Sequence, residues 1–233
     1  MKQITAILAI GALVACLASC SKVDDYTAPD ATLTGNIIDS VTGQPLRTEQ
    51  PNGVRLRMLE TSWSQNPIPW YFWVKGDGTF NNTKVFGATY EITPVDGPFY
   101  PIAGKSVQVT GTTRIDFTVV PFLTVNISKV TQADTTVTLS YNIARPRTGF
   151  KITDAKIFVS TTPYVSNSSF ILNLTQTNDL NSVADATILG TTYSTTVTGL
   201  GRKRTYYIRV GARSDDNVSK RYNYSEVKQI DIP

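Results

Sequence analysis

A period of two in the apolar residues constrains this chain more than any other feature. From Val54 to Met58, the apolar side chains Val54, Leu56 and Met58 alternate with Arg55 and Arg57. In an extended strand that spacing puts the three apolar groups on one face and the two guanidinium groups on the other. The same alternation recurs at Ile115, Phe117 and Val119, at Val137, Leu139, Tyr141 and Ile143, at Ile157 and Val159, and at Tyr206, Ile208 and Val210. Such runs predict half-buried strands. Glycine and proline interrupt them at short intervals. Gly43 and Pro45 mark a turn, and Gly76-Asp77-Gly78 predicts a tight reversal because glycine takes positive φ without steric cost. Strands broken by turns, in a chain rich in Thr, Val, Ile and Tyr, predict an all-β protein.

At 233 residues the chain suits two sandwiches of about 100 residues each. Pro121-Phe122-Leu123 is the expected junction, because a proline between two alternating runs breaks the hydrogen-bond ladder. The expected organisation is a signal peptide over 1–19, a lipidated cysteine and flexible tether over 20–31, one sandwich over 32–121 and a second over 122–233. The leader rests on Lys2 followed by an apolar run from Ile4 to Leu17, shorter than a bilayer-spanning helix needs.

That run ends in Leu17-Ala18-Ser19-Cys20, which resembles the lipobox of bacterial lipoproteins. The resemblance implies that Cys20 becomes the lipidated first residue; the alternative is an ordinary signal peptide with a chance cysteine. Cys16 lies within the leader and no third cysteine exists, so no disulfide is expected in the mature chain. Stability then depends on buried apolar surface. Lys22, Asp24 and Asp25 follow the cysteine and resemble the acidic surface-export signal of Bacteroidetes lipoproteins, with plain solvated tether residues as the alternative. The implied location is the outer membrane, lipid-anchored and facing the cell exterior.

Two further resemblances concern the fold. The stretch TGNIIDSVTGQPL, followed by DGTF and then Gly87-Ala88-Thr89-Tyr90-Glu91-Ile92, is similar to the transthyretin-like, carboxypeptidase-regulatory-like sandwich of seven strands. Tyr193-x-Thr195-x-Val197-Thr198-Gly199-Leu200, followed by Tyr206, resembles the fibronectin type III pattern, a relative of the immunoglobulin fold. There Tyr206 would form a tyrosine corner, its hydroxyl reaching the preceding loop. The chain departs from that pattern in lacking a proline at Gly201 or Arg202 and an early core tryptophan. The order of the two domains, the lipobox and the aromatic stretches PWYFWVKGDGTF, DGPFYP and DFTVVPFL together resemble the Bacteroidetes lipoproteins of the domain of unknown function 3823 family. Membership implies a place beside outer-membrane glycan importers similar to the starch utilisation system. It supplies no site residues.

The residue inventory narrows the chemistry. The chain has no histidine and its two cysteines lie at or before position 20, so Ser-His-Asp, Cys-His and the usual zinc sites are excluded. No phosphate-binding glycine motif is present. No catalytic residue, metal or other cofactor is expected, although a carboxylate pair stays formally open to a glycosidase. Asp77 and Asp96 adjoin glycines and read as turn residues, and Asp215-Asp216-Asn217 reads as a solvated loop, with calcium as the lesser alternative. Pro163 to Ala184 is the longest stretch left without an assigned element, and it reads as polar. Asp39-Ser40-Val41 and Asp134-Thr135-Thr136 resemble O-glycosylation motifs of exported Bacteroidetes proteins, or are ordinary turns. Of 22 Lys and Arg only Lys2 lies in the leader, against 18 Asp and Glu, so the mature chain is close to neutral and nucleic acid is not an expected partner.

All three tryptophans fall between Trp63 and Trp73. Period two places Trp70, Phe72 and Val74 on one face of a strand and Tyr71 with Trp73 on the other, and core demand favours the first set. Tyr71 and Trp73, with Trp63 beside the Pro67/Pro69 loop, are candidate rings for the C–H face of a pyranose. Gln65 and Asn66 are candidate partners for its hydroxyls. The alternative is that these rings fill a core or a domain seam, and the seam is also expected for Phe99 and Tyr100. The favoured function is a non-catalytic accessory protein binding a polysaccharide or oligosaccharide for an import system, with transporter components as partners. The alternative is a structural module bracing a transporter or a fimbria-like assembly.

Overall fold

A computed structural model describes residues 27–233. The leader, Cys20, Lys22, Asp24 and Asp25 lie outside the described residues. The first domain contains β1 (Ala31–Asp39), β2 (Arg55–Glu60), β3 (Trp70–Trp73), β4 (Thr79–Val85), β5 (Ala88–Val95), β6 (Lys105–Val109), β7 (Thr112–Arg114) and β8 (Phe117–Val119). One sheet runs β3-β2-β5-β6; the other runs β4-β1-β7, with β8 also on β1. β7 pairs with Thr32–Thr34 and β8 with Ile37–Asp39, both parallel, so the two are one interrupted edge strand and the sandwich has the seven strands of the transthyretin-like fold. Gly35 faces the interruption. The Ile115 carbonyl presses on Gly35 so closely that a Cβ there would lie 1.7 Å from the oxygen, and only glycine fits.

β1 shows why the sequence folds this way: every second residue from Ala31 to Asp39 is buried. Leu33 and Ile37 meet Leu56, Met58, Val74, Phe80, Ile92 and Phe117 between the sheets. Each such side chain, fully withdrawn from water, contributes about 1.5 to 3 kcal/mol. The reversal expected at Gly76-Asp77-Gly78 joins β3 to β4, with Gly78 at φ +83 and no room for a Cβ beside the Leu46 carbonyl.

The second domain contains β9 (Thr124–Ala133), β10 (Thr136–Ala144), β11 (Ile152–Ser160), β12 (Gln176–Asp179), a short helix α1 (Asp185–Leu189), β13 (Thr192–Val197), β14 (Arg204–Ser214), β15 (Asn223–Tyr224) and β16 (Lys228–Ile232). A three-stranded sheet β13-β10-β9 faces a sheet β12-β11-β14 whose far edge is shared by β15 and β16. This three-on-four arrangement is the fibronectin type III order. Tyr206 is buried and its hydroxyl accepts the Gly201 N–H at 2.9 Å, forming the tyrosine corner. In place of a core tryptophan, fully buried Tyr141 stacks on Tyr193 with centroids 5.4 Å apart.

Two sequence-based assignments fail in this domain. The stretch from Pro163 to Ala184 is not simply polar: Val165 and Phe170 pack on Phe158, Tyr222 and Tyr224 over the outer face of β11 and β14, and Leu174 and Leu180 enter the main core. Phe170, Leu172 and Leu174 alternate, yet the backbone turns there and Leu172 is 80% exposed; the strand of this stretch is the polar β12. Asp216 is likewise not solvated. It is 1% exposed, and its Oδ1 accepts the N–H groups of Val218, Ser219 and Lys220 at 2.7 to 3.0 Å. A carboxylate so used organises its own loop.

The domains meet along a polar and aromatic seam. The Asn223 amide donates to the Pro98 carbonyl at 2.9 Å and accepts the Leu123 N–H at 3.0 Å. Arg209 donates to the Thr48 carbonyl at 2.9 Å, and Ser168 donates to Glu49 at 2.7 Å. Tyr100 packs at the seam on Phe122 and Phe150. Phe99 does not join it; this ring belongs to the first core and is 1% exposed.

Candidate functional site

The outer face of β2 and β3 gathers the most chemically distinctive side chains. In their antiparallel register Arg55 stands opposite Trp73 and Arg57 opposite Tyr71. The inward residues behave as their alternation predicts: Val74 is fully buried, Phe72 meets Phe80 edge-on at 6.2 Å, and Trp70 meets Tyr90 at 6.3 Å. Tyr71 and Trp73 therefore point away from the core. Tyr71 is 41% exposed and Trp73 is half-buried.

What half-covers Trp73 is charge. The Arg55 guanidinium carbon lies 4.5 Å from the Tyr71 ring centroid and 5.5 Å from that of Trp73, and it pairs with Asp96. Arg221, from the second domain, lies 5.4 Å from the Trp73 centroid. Arg57 donates to Thr93 at 3.3 Å and to Glu91 at 3.4 Å. Stacking on an aromatic face holds a guanidinium plane while leaving its N–H edges free to bond. Burial lowers the Arg221 pKa; Asp96 opposes that shift and Arg55 adds to it.

The loop carrying Arg221 is built for placement. Asp216 ties three successive backbone N–H groups, and Ser219 donates to the Gly97 carbonyl of the first domain at 3.2 Å. Arg221 then reaches Trp73 from across the seam.

The other candidate residues lie elsewhere. Trp63, Gln65 and Asn66 sit on the loop joining β2 to β3, which leaves the pair at its Met58–Trp70 end, opposite the end where Arg55 meets Trp73. Trp63 is 85% exposed, and Gln65 and Asn66 are exposed with it. The loop is tied locally, Ser62 accepting the Thr89 N–H at 2.8 Å and Ser64 the Asn66 N–H at 3.1 Å. The structure thus brings Tyr71 and Trp73 together and keeps Trp63 apart on the hairpin tip. Sequence reasoning missed Arg55, Asp96 and Arg221 as members of the site. Alternation had already put Arg55 on this face, whereas nothing local marks Arg221.

A separate cleft of about 870 Å³ lies between the domains, lined among others by Arg47, Glu49, Lys75, Asp77, Tyr164 and Arg209. Arg209 is buried beside Tyr224, 4.0 Å from its centroid, and burial pushes its pKa down to about 10. Its two hydrogen-bond acceptors, the Thr48 and Val165 carbonyls, are backbone groups on loops of the two domains, which Arg209 thereby joins.

The family model described as the protein of unknown function (DUF3823) N-terminal domain matches residues 31–120, and the domain of unknown function DUF3823_C matches 123–229. The chain belongs to the DUF3823 family. A DUF3823 protein of Bacteroides uniformis is similar over 88% of this chain and 100% of its own, at 26% identity and a TM-score of 0.77. A candidate carbohydrate-binding protein of the same organism is similar over 87% and 99%, at 24% identity and a TM-score of 0.74. A DUF3823 protein of Parabacteroides merdae covers 88% and 100%, at 21% identity and a TM-score of 0.71. At these last two identities the likeness concerns the fold. No curated protein matches the chain.

Proposed function

We propose that this DUF3823 protein is a non-catalytic, lipid-anchored accessory protein of the outer-membrane surface that binds a polysaccharide or oligosaccharide through the outer face of β2 and β3. The observation carrying this reading is the outward pair Tyr71 and Trp73 with Arg55 laid against both rings. The partly open ring faces take the C–H surface of a sugar, and flanking guanidinium N–H groups bond its hydroxyls. The structural neighbour described as a candidate carbohydrate-binding protein lends support from outside the chain. The lipobox ending at Cys20, with Lys22, Asp24 and Asp25 behind it, supports the anchor and the outward orientation. Absence of histidine and of any cysteine after Cys20 supports a binding role over catalysis. Transporter components of a glycan import system are the proposed protein partners.

One observation favours a competing reading. Trp73 is touched by arginines of both domains, as a ring that only fastens a seam would be, and the protein would then brace a transporter or fimbria-like assembly. Affinity electrophoresis of the full chain through polysaccharide gels separates the two. For binding, Trp73→Ala abolishes retardation with little change in melting temperature. For bracing, no polysaccharide retards the protein, and Trp73→Ala lowers its stability markedly.

A further inference from the structure

Three arginines and two carboxylates meet on this face, and their pairing is uneven. Arg55 is matched by Asp96, and Arg57 by Glu91 and Thr93. Arg221 makes no ion pair and no hydrogen bond among the described residues, and its Nη1 is enclosed without a partner. It is nevertheless held in place: its ring contact is Trp73, its loop is tied by Asp216, and Ser219 pins that loop to Gly97 across the seam. The enclosed Nη1 is out of a ligand's reach, but Nε and Nη2 are neither bonded nor enclosed, so this positioned, half-buried guanidinium has two nitrogens free for an anion. Asp96 and Glu49 act on Arg221 only at a distance and neither bonds it. Desolvation without a hydrogen-bonded acceptor is unfavourable, and a planar carboxylate or a sulfate oxygen offers one.

We infer that the site selects acidic glycans, the sugar ring lying against Tyr71 and Trp73 while its carboxylate or sulfate group pairs with Arg221. This rests on the glycan-binding reading above and adds the substrate class to it. Arg55, its fork engaged by Asp96, adds no net charge here and leaves Arg221 to carry the preference. Because Arg221 comes from the second domain and both rings from the first, the acid subsite exists only when the two sandwiches are docked.

Matched polymers test the inference with the purified full chain. Polygalacturonate is compared with its methyl ester, which removes the carboxylate charge, and carrageenan with agarose, which lacks the sulfate. The expected result is retention by an acidic polymer at about ten- to a hundredfold higher affinity than by its neutral counterpart, the span of one charge-assisted contact. That preference should fall as salt rises. Retention in the carboxylate pair assigns a uronic acid, and in the sulfate pair a sulfated sugar. Arg221→Gln should bring the acidic-to-neutral affinity ratio close to one, Arg221→Lys should restore part of it, and Lys75→Gln in the separate cleft should leave it intact. Equal affinity for charged and neutral polymers, lost in Trp73→Ala, would overturn the acid preference while leaving the glycan platform standing. A preference that survives Arg221→Gln, or disappears in Lys75→Gln, would also overturn it. Retention by none of the four polymers and by no glycan on a broad array would overturn both readings, whereas retention by neutral sugars alone on that array would overturn only this one. A circular dichroism melt of each variant confirms that it is folded.

Discussion

Two aromatic groups lie along the border between the domains, and they use their rings differently. At one, Tyr100, Phe122 and Phe150 pack ring on ring, with centroids 4.7 to 6.2 Å apart and Phe122 only 3% exposed. At the other, Tyr71 and Trp73 are covered by Arg55 and Arg221 and stay partly open. Arg147 also lies over Tyr100, at 3.4 Å, so the presence of a cation is not the distinction. What differs is the second layer. Phe122 leads into the second core, so its neighbours exclude water and its burial stabilises the junction. Among the described residues no sheet covers the outer face of β3, and its three arginines are only half-buried. Aromatic content therefore says little about role; the material covering each ring decides whether it joins domains or meets a ligand.

The largest expected effect is at the closed cluster. Phe122→Ala should destabilise the protein by about 3 to 5 kcal/mol, through lost burial and the cavity left behind. Guanidinium unfolding followed by circular dichroism measures the loss. Trp63, Trp70 and Trp73 all lie in the first domain, so fluorescence tracks that domain alone. The two signals should separate once the seam is loosened, and coincident curves with a loss below about 1 kcal/mol would contradict a closed seam.

Next comes the hydrogen-bonded part of the same seam. Asn223→Ala strips a donor from the Pro98 carbonyl and an acceptor from the Leu123 N–H, both bonds being buried. About 2 to 4 kcal/mol should be lost, again read by chemical unfolding. A near-zero change would mean that water replaces the amide and that the seam is wetter than its packing implies.

A pH titration sharpens the comparison from the second domain. The Tyr222 hydroxyl donates to Asp154 at 2.6 Å, and its pKa is raised first by burial and then by that carboxylate. The folded chain thus holds the phenolic proton more tightly than the unfolded chain, whose tyrosines titrate near about 10. Stability from this group is fully present below that pH and falls as pH rises above it, by at most about 1.4 kcal/mol per pH unit. Tyr222→Phe should make the alkaline limb of a stability curve shallower; an unchanged slope would deny the coupling.

The smallest stability effect belongs to the open cluster. Trp73→Ala should cost about 1 kcal/mol, because a half-covered ring contributes some packing and two modest cation–π contacts. A loss comparable to that of Phe122→Ala would erase the contrast and favour a purely structural role for this face.

Much of this contrast was legible in the sequence. The alternation through Trp70, Tyr71, Phe72 and Trp73 separates inward from outward rings, and the turn glycines delimit the strands that carry them. Tyr206 and its spacing from Leu200 foretell the corner to Gly201. The failures share a cause. Trp63 lies ten residues from Trp73 in sequence, yet the hairpin loop leaves the strand pair at the end opposite that ring, so chain proximity is a poor guide to spatial grouping. Asp216 looked solvated because acidic residues beside asparagine usually are, and only its loop's folded path turns three N–H groups towards one oxygen. Phe99 and Tyr100 are neighbours with opposite fates, since adjacent side chains on extended backbone point apart.

The sequence by itself determined the all-β class, the two-sandwich organisation and the face on which each strand residue lies, because backbone geometry makes side-chain direction a local property with a period of two. Only the tertiary structure decided that Arg221 stands over Trp73, that Asn223 joins Pro98 to Leu123, and that Asp216 is buried. Those outcomes join residues far apart in the chain, and they follow from how two finished sandwiches dock, which no local pattern encodes.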